Sequence, residues 1–464
     1  MNDPRPAATI VRLAYQADSA LYHEKLRHLP WPVWLDSGFP GSSAGRYDIL
    51  AADPYCMLHG QAGSMRLQRA GSERLLPVAD AFGTLRELLG RPQPTPAGLP
   101  FGGGAIGFLG YDLLREDFGL AERPALGDWP DLAVGLYDWA VVVDHVRRRT
   151  HLVHAGRDPR GSASFDAVRE CLNGVAPASG AGQRCGRLPL RGQLVEDGLS
   201  RPDYAAAFAR IQRYIHDGDC YQANFAQRFR ARVEDDAWSC YLAMRETNPA
   251  PYAALLEYPF GQVLSASPER FLSLKGRQVT TEPIKGTRPR GDEPALDQAL
   301  RSELFNSDKD RAENLMIVDL LRNDLGRVCV PGSIAVPRLF AIESFATVHH
   351  LVSTVTGRLR DDGDALDLLR ACFPGGSITG APKRRAMQII DELEPDRREV
   401  YCGSIIRLGF DGDLDSSIAI RTALLRNGSA LYWAGGGIVA DSSCDDEYRE
   451  SLDKAAAFRR LFRS

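Results

Sequence analysis

Lys285 stands in TTEPIKGTRPRG, between Pro283-Ile284 and Gly286-Thr287, a turn-prone frame ill suited to a flexible surface cation. Sixteen residues earlier, Glu269 follows Pro268 in SASPERF. The intervening VLSASPERFLSLKGRQVTTEPIKGT reads as two strands reversing near Lys275–Gln278. A reversal centred on Arg277 sets Leu274 opposite Thr280, Leu272 opposite Glu282 and Glu269 opposite Lys285. Cross-strand partners have Cβ atoms roughly 5 Å apart, so the amine and the carboxylate would share one small site. Two readings follow. The first is a plain cross-strand ion pair. The second is a nucleophile with a proton-transfer partner, since a lysine with a free amine can attack carbon. Pro268 and Pro283 cannot donate to a ladder, which marks this end of the hairpin as an edge or a terminus opening into a cavity.

Other carboxylates sit where water should be scarce. KDRAENLMIVDLLRNDLGR predicts an apolar helix around 308–326, with Glu313 on the face of Ile317 and Leu320. A buried carboxylate needs either an arginine or a hard cation such as Mg²⁺. On a helix predicted over 443–463, Glu447 and Glu450 stand at i, i+3, with Lys454 four beyond Glu450. That spacing alone describes a solvated face. The preceding WAGGGIVADSS gives the other reading: its glycines let backbone approach a ligand, and the helix start delivers both glutamates to the same place.

The elements around these residues belong to a large globular chain. Its 464 residues are 44% hydrophobic and 25% charged, enough for two or three domains or one large sheet-based fold. A formal net charge of −4 leaves no basic excess for counterion release and argues against nucleic acid as a partner. Nine cysteines without a C-x-x-C pair fit reduced thiols in the cytoplasm. MNDPRPAATIVRLAYQ carries no signal-like apolar run, and no segment approaches the ~20 apolar residues of a membrane span. The expectation is a soluble, cytoplasmic protein.

A Gly/Pro/Ser-rich shift between about 156 and 201 reads as a linker or long loop. It divides the chain into an N-terminal region, 1–190, and a second region, 200–464. Asp203 to Gly218 predicts a helix with Tyr204, Phe208, Ile211 and Ile215 on one face. CYQANFAQRFRARV alternates as a strand, with Tyr221, Ala223, Phe225, Phe229 and Val233 on one side and Gln222, Asn224, Arg228 and Arg230 on the other. A further helix is expected over 382–393. Strands outnumber βαβ alternations, which predicts an α+β fold with large antiparallel sheets flanked by helices.

Two glycine runs imitate nucleotide loops. In PFGGGAIGFLGYD, Gly102, Gly104 and Gly107 match G-x-G-x-x-G without a clear preceding strand or following helix, so no dinucleotide site is expected. In PGGSITGAPKRRAMQII the Lys383 spacing does not fit a P-loop, but the amides of Thr379 to Ala381 could bind a carboxylate or simply cap the helix that starts at Pro382.

SPERF, PIKGTRPR, KDRAENLMIVDLLRNDLGR, GSITGAPKRRAMQIID, SSIAIRTA and GGGIVADS…DEYRESLDKA follow the order found in chorismate-utilising enzymes. The chain resembles the superfamily of anthranilate synthase component I, aminodeoxychorismate synthase component I and isochorismate synthase. The match covers about 200–464, and a weaker one (WPVWLDSG, RYDILAADP) extends it toward the N-terminus. The resemblance implies that fold, chorismate as substrate and Mg²⁺ as cofactor. Water-adding members carry a lysine base where this chain has Gln222, which cannot deprotonate water. Anthranilate synthases resemble PIAGT where this chain reads PIKGT, and the lysine marks the aminodeoxychorismate synthase branch on the route to 4-aminobenzoate and folate. An anthranilate-forming reaction is the alternative, and a non-catalytic binding subunit a third reading.

By the same resemblance, Lys285 is the covalent nucleophile, Glu269 the general acid and base, and His350 lies near the departing hydroxyl, with His349 its neighbour. Glu313 and Glu447 would hold Mg²⁺ on the ring carboxylate, assisted by Glu450. Arg421 and Tyr401 would grip the enolpyruvyl group, and Thr379, Gly436 and Gly437 would complete a polar cradle, with Gln222 at the substrate. Ammonia would come from a separate glutamine amidotransferase subunit in a heterodimer, or from solution. Two departures stand out: Glu282 precedes Pro283, and Trp34-Leu35-Asp36-Ser37 replaces the LLES-like segment of a tryptophan pocket.

Overall fold

The computed structural model describes residues 8–42, 45–69, 71–78, 80–95, 98–175, 190–345 and 348–462. Two antiparallel sheets, each of 12 strands, carry ten α-helices among the described residues. This is the expected α+β architecture. The segment 176–189 of the expected linker lies outside the described residues. The flanking parts of the expected linker hold a helix at Ala163–Asn173 and a strand at Gly192–Asp197.

Both sheets interleave strands from the N-terminal and C-terminal regions. In the first, Tyr252–Tyr258 pairs with Val33–Asp36. In the second, Ser404–Gly409 pairs with Gly104–Leu109. The glycines of PFGGGAIGFLGYD thus lie within or beside a strand, and the reason for Gly107 is close approach. A Cβ there would stand 2.0 Å from the Ala133 carbonyl oxygen, so only glycine lets the neighbouring strand in. No phosphate loop forms there.

The long helices lie close to where periodicity puts them: Arg201–His216, Asp308–Gly326, Lys383–Leu393 and Cys444–Phe462. Ser200 caps the first and Ser307 the second, each side chain accepting a backbone N–H three residues on. Tyr204, Phe208 and Ile211 are buried, as is Ile317 on the long central helix.

Lys383 marks how the third helix is pinned. Its ammonium is buried, donating to Asp324 Oδ2 at 2.7 Å and to the Cys372 carbonyl at 2.8 Å. Asp324→Ala would strand that charge, and a loss of about 3–5 kcal/mol is expected. Urea unfolding of the variant measures it, and a loss below ~1 kcal/mol would contradict the pairing.

The hairpin register differs from the sequence expectation by one residue. Lys275 pairs with Gln278, Leu274 with Val279 and Ser273 with Thr280. Gly276 takes φ +57° in the tight two-residue reversal, which shifts the centre off Arg277. The strand then ends at Thr281, and Ile284–Pro289 leaves the hairpin to pair with Val348–Arg358, setting Lys285 opposite Leu351. Glu269 and Lys285 are therefore not cross-strand partners. Among the described residues no carboxylate forms an ion pair with Lys285 within 4.0 Å, which removes the salt-bridge reading.

Candidate active site

A cavity of ≈650 Å³ opens where the two sheets and the long helices meet. Glu269, Lys285 and His350 line it, from the strand ends of the second sheet. Glu313 enters from the helix Asp308–Gly326, and Glu447 and Glu450 from the C-terminal helix. Tyr401, Arg421 and Gly437 line it as well. Except for Gly41 and Ser42, every lining residue lies between 224 and 454.

Three expected residues stand behind this wall. Gln222 and Thr379 are fully buried and do not line the cavity. The Gln222 amide packs under Gly437, where a Cβ would come within 2.7 Å of its Nε2. Thr379 is consumed by its own turn: its amide donates to Gly376 O and its hydroxyl to Gly375 O at 3.0 Å. Its amide therefore is not free for a carboxylate. Gly436 lies beneath the glutamates, and a Cβ on it would stand 3.0 Å from Glu447 Oε2 and 3.3 Å from Glu450 Oε1.

Glu269 is 6% exposed, and burial pushes its carboxyl up to about 7, against the opposing pull of a hydrogen bond from Ser377 and the charges of Lys285 and Lys454. Near neutrality it holds its proton in a good fraction of molecules, as a general acid must. His350 goes the other way. Burial, then the Arg421 charge, lowers it to about 4, with the Gly286 backbone pulling weakly upward. Its imidazole is neutral at pH 7 and shares a 2.9 Å hydrogen bond, Nδ1 to Thr287 Oγ1. His349 faces elsewhere, bonded to Ser344 Oγ at 2.7 Å and to Asp297 Oδ1 at 2.9 Å. The choice between the two histidines is thereby made.

The three glutamates differ in environment. Burial raises Glu313, partly offset by Lys285 and Lys309. Burial also raises Glu447, opposed by the Ser442 hydroxyl, which donates to Oε1 at 2.7 Å. For Glu450 burial works upward, but Lys454 outweighs it and the carboxyl lies below its usual range. Lys454 donates to Glu450 at 2.5 Å and to the Gly435 carbonyl at 3.1 Å, and Lys309 stands 3.6 Å from Glu447. Carboxylate oxygens converging on one cavity suit a hard divalent cation. As the side chains stand, two of the three are matched by lysines, and no group of three potential ligands among the described residues encloses an ion. A metal would compete with Lys309 and Lys454.

Arg421 adopts φ +53°, a strained conformation for a side-chain-bearing residue, of the kind that concentrates at ligand sites. Its guanidinium lines the cavity without forming an ion pair among the described residues. Tyr401 stacks on Trp433 at 6.2 Å, which forms the adjoining wall. Glu282, the unusual residue before Pro283, is committed to Arg270 at 2.8 Å and Arg338 at 3.4 Å, away from Lys285.

Sequence reasoning missed Lys309 and Ser377 as cavity residues. Lys309 had a signal, at i, i+4 to Glu313 on one helix face. Ser377 had none beyond lying inside GSITGAPK.

No helix among the described residues is long and apolar enough to cross a membrane, and the eight described cysteines are free thiols. The chain is 45% identical over 454 residues to aminodeoxychorismate synthase component 1 of Salmonella typhimurium, covering 96% of each. It is 41% identical over 397 residues to anthranilate synthase component 1 of Streptomyces coelicolor, covering 82% of this chain and 76% of that one. The crystal structure of anthranilate synthase component I from Streptococcus pneumoniae superposes with a TM-score of 0.79 at 33% identity, covering 90% of this chain and 92% of the other. The family model of chorismate binding enzymes matches residues 32–460, and with the site geometry above it follows that the chain belongs to the chorismate binding enzyme family.

Proposed function

We propose that the protein is an aminodeoxychorismate synthase component I, converting chorismate and ammonia to 4-amino-4-deoxychorismate for 4-aminobenzoate and folate synthesis. The observation that carries this reading is the Lys285 amine, unpaired with any described carboxylate, in one cavity with a buried Glu269.

Chorismate has a C4 hydroxyl at the end of a conjugated diene. The Lys285 nitrogen forms a bond to C2, both double bonds shift, and the C4–O bond breaks. Glu269 supplies the proton with which that oxygen leaves as water. The neutral His350 offers a hydrogen bond to the departing oxygen without competing for the proton. With C2 occupied, ammonia must attack C4, the double bonds return, and the C2–N bond to Lys285 breaks. Glu269, now ionised, accepts a proton from the incoming amine, and the lysine amine is regenerated. One chorismate and one ammonia give one amino product and one water.

Arg421 is suited to take the enolpyruvyl carboxylate through two parallel N–H donors, with Tyr401 beside it. Glu313, Glu447 and Glu450 would hold Mg²⁺, which when bound supplies a positive centre for the ring carboxylate. A glutamine amidotransferase subunit would deliver ammonia, in the cytoplasm.

Chorismate, Mg²⁺ and ammonium should give a C4-amino product, read by chromatography and mass spectrometry. Anthranilate formed directly, with no C4-amino product, would sink the assignment. Arg421→Lys keeps the charge but loses the fork, and a rise of roughly 10- to 100-fold in the KM for chorismate is expected, the worth of a charge-assisted hydrogen bond. An unchanged KM would remove Arg421 from substrate binding.

A further inference from the structure

The loop Pro374–Thr379 presents Ser377 to the cavity, where its hydroxyl donates a 2.8 Å hydrogen bond to Glu269 Oε1. Both side chains are buried. The rest of Glu269 is held too: its amide donates to Ser267 Oγ at 3.2 Å, and its carbonyl accepts from the Ile418 amide at 3.1 Å. The serine loop is pinned through its glycines. A Cβ on Gly375 would stand 2.8 Å from Ile418 Cδ1, and one on Gly376 would stand 2.5 Å from Leu320 Cδ2. These close approaches seat the loop on the strand Leu414–Ile418, whose last amide holds the Glu269 carbonyl, and on the helix that carries Glu313. Arg398 locks the far side, donating to the Ile378 carbonyl at 2.9 Å.

We infer that Ser377 is a positioning residue for proton transfer: by occupying Oε1 it leaves Oε2 to carry the proton and keeps that oxygen turned to the substrate. This rests on the reading of Glu269 as the acid. Without the hydroxyl the carboxyl loses its stronger donor and keeps only the weaker pull of the Ile284 backbone N–H, so it can turn about its last bond and present the wrong oxygen. The other charged or titratable groups that act on Glu269 are Lys285 and Lys454, with Cys402 beneath it. None of them offers a neutral hydroxyl donor.

The hydroxyl also favours the ionised carboxylate, so its loss should move the alkaline limb of the pH–rate profile to higher pH. Ser377→Ala should lower kcat by roughly 10- to 100-fold, the usual cost of a misplaced catalytic group. The KM for chorismate should stay within about twofold. Ser377→Thr, which keeps the hydroxyl, should hold the limb where it is. Urea midpoints identify which variants fold, and Ser377→Gly replaces the alanine variant if that one does not. A folded hydroxyl-free variant with wild-type kcat and an unmoved limb overturns the inference. Glu269→Gln separates the two ideas: if it keeps full activity, the acid reading itself fails. If it is inactive while Ser377→Ala behaves as wild type, only the positioning role falls.

Discussion

Lys285→Ala should lower formation of 4-amino-4-deoxychorismate on the order of 10³-fold or more, the scale expected when a covalent nucleophile is removed. Its residual product should carry nitrogen at C2 rather than C4. The reason is positional. Only a group already bonded to C2 forces ammonia to C4, and Lys285 is the amine that enters the cavity from the Ile284–Pro289 strand. Mass spectrometry gives the complementary result. Wild-type protein with chorismate and Mg²⁺ but no ammonia should gain the mass of chorismate less one water on the peptide containing Lys285, and the alanine variant should gain nothing. Retention of the C4-amino product at a near-normal rate in Lys285→Ala would end the covalent route.

Replacing Glu269 by glutamine should cost about 10²–10⁴-fold in turnover, because the amide cannot protonate the leaving hydroxyl. In the wild type the rate should fall as pH rises past about 7, where the carboxyl loses its proton. Stability should follow the same group. A carboxyl raised in the folded state contributes stability that is complete below its unfolded value and is lost as pH rises through about 7. Glu269→Gln removes that dependence. At pH 8 the variant should therefore be more stable than wild type by roughly 3 kcal/mol, the worth of moving a carboxyl from 4.5 to about 7, and at pH 4 the two should nearly coincide. Urea unfolding at both values tests this, and equal gaps at the two pH values would contradict a buried, protonated Glu269.

The helices were legible because their signal is local. Asp308–Gly326 keeps its bounds, with Ser307 as cap and Ile317 on the buried face, and Cys444–Phe462 is shifted by one residue at each end. Apolar residues at 3.6-residue spacing need no distant partner to be recognised. The strand from Gln222 also followed its alternation, and its polar face reaches the cavity through Asn224, while Gln222 on the same face is buried beneath Gly437. Alternation separates two faces and does not say which residue of a face reaches substrate. The hairpin failed by one residue because turn geometry sets register, and Gly276 at positive φ moved the centre.

Residue types and motif order alone determined the α+β class, the helices and the roster of carboxylates, the lysine and the arginine that could process a charged, hydroxylated ring. Tertiary structure decided which of them meet. Glu269 and Lys285 share a cavity through a third strand, not across a hairpin. His350 was chosen over His349, and Ser377 over Thr379. Those outcomes depend on contacts between segments far apart in the chain, whose register and burial are fixed only when both sheets close around the site. Burial then set the protonation of Glu269 and His350, and no local pattern of residues encodes the loss of surrounding water.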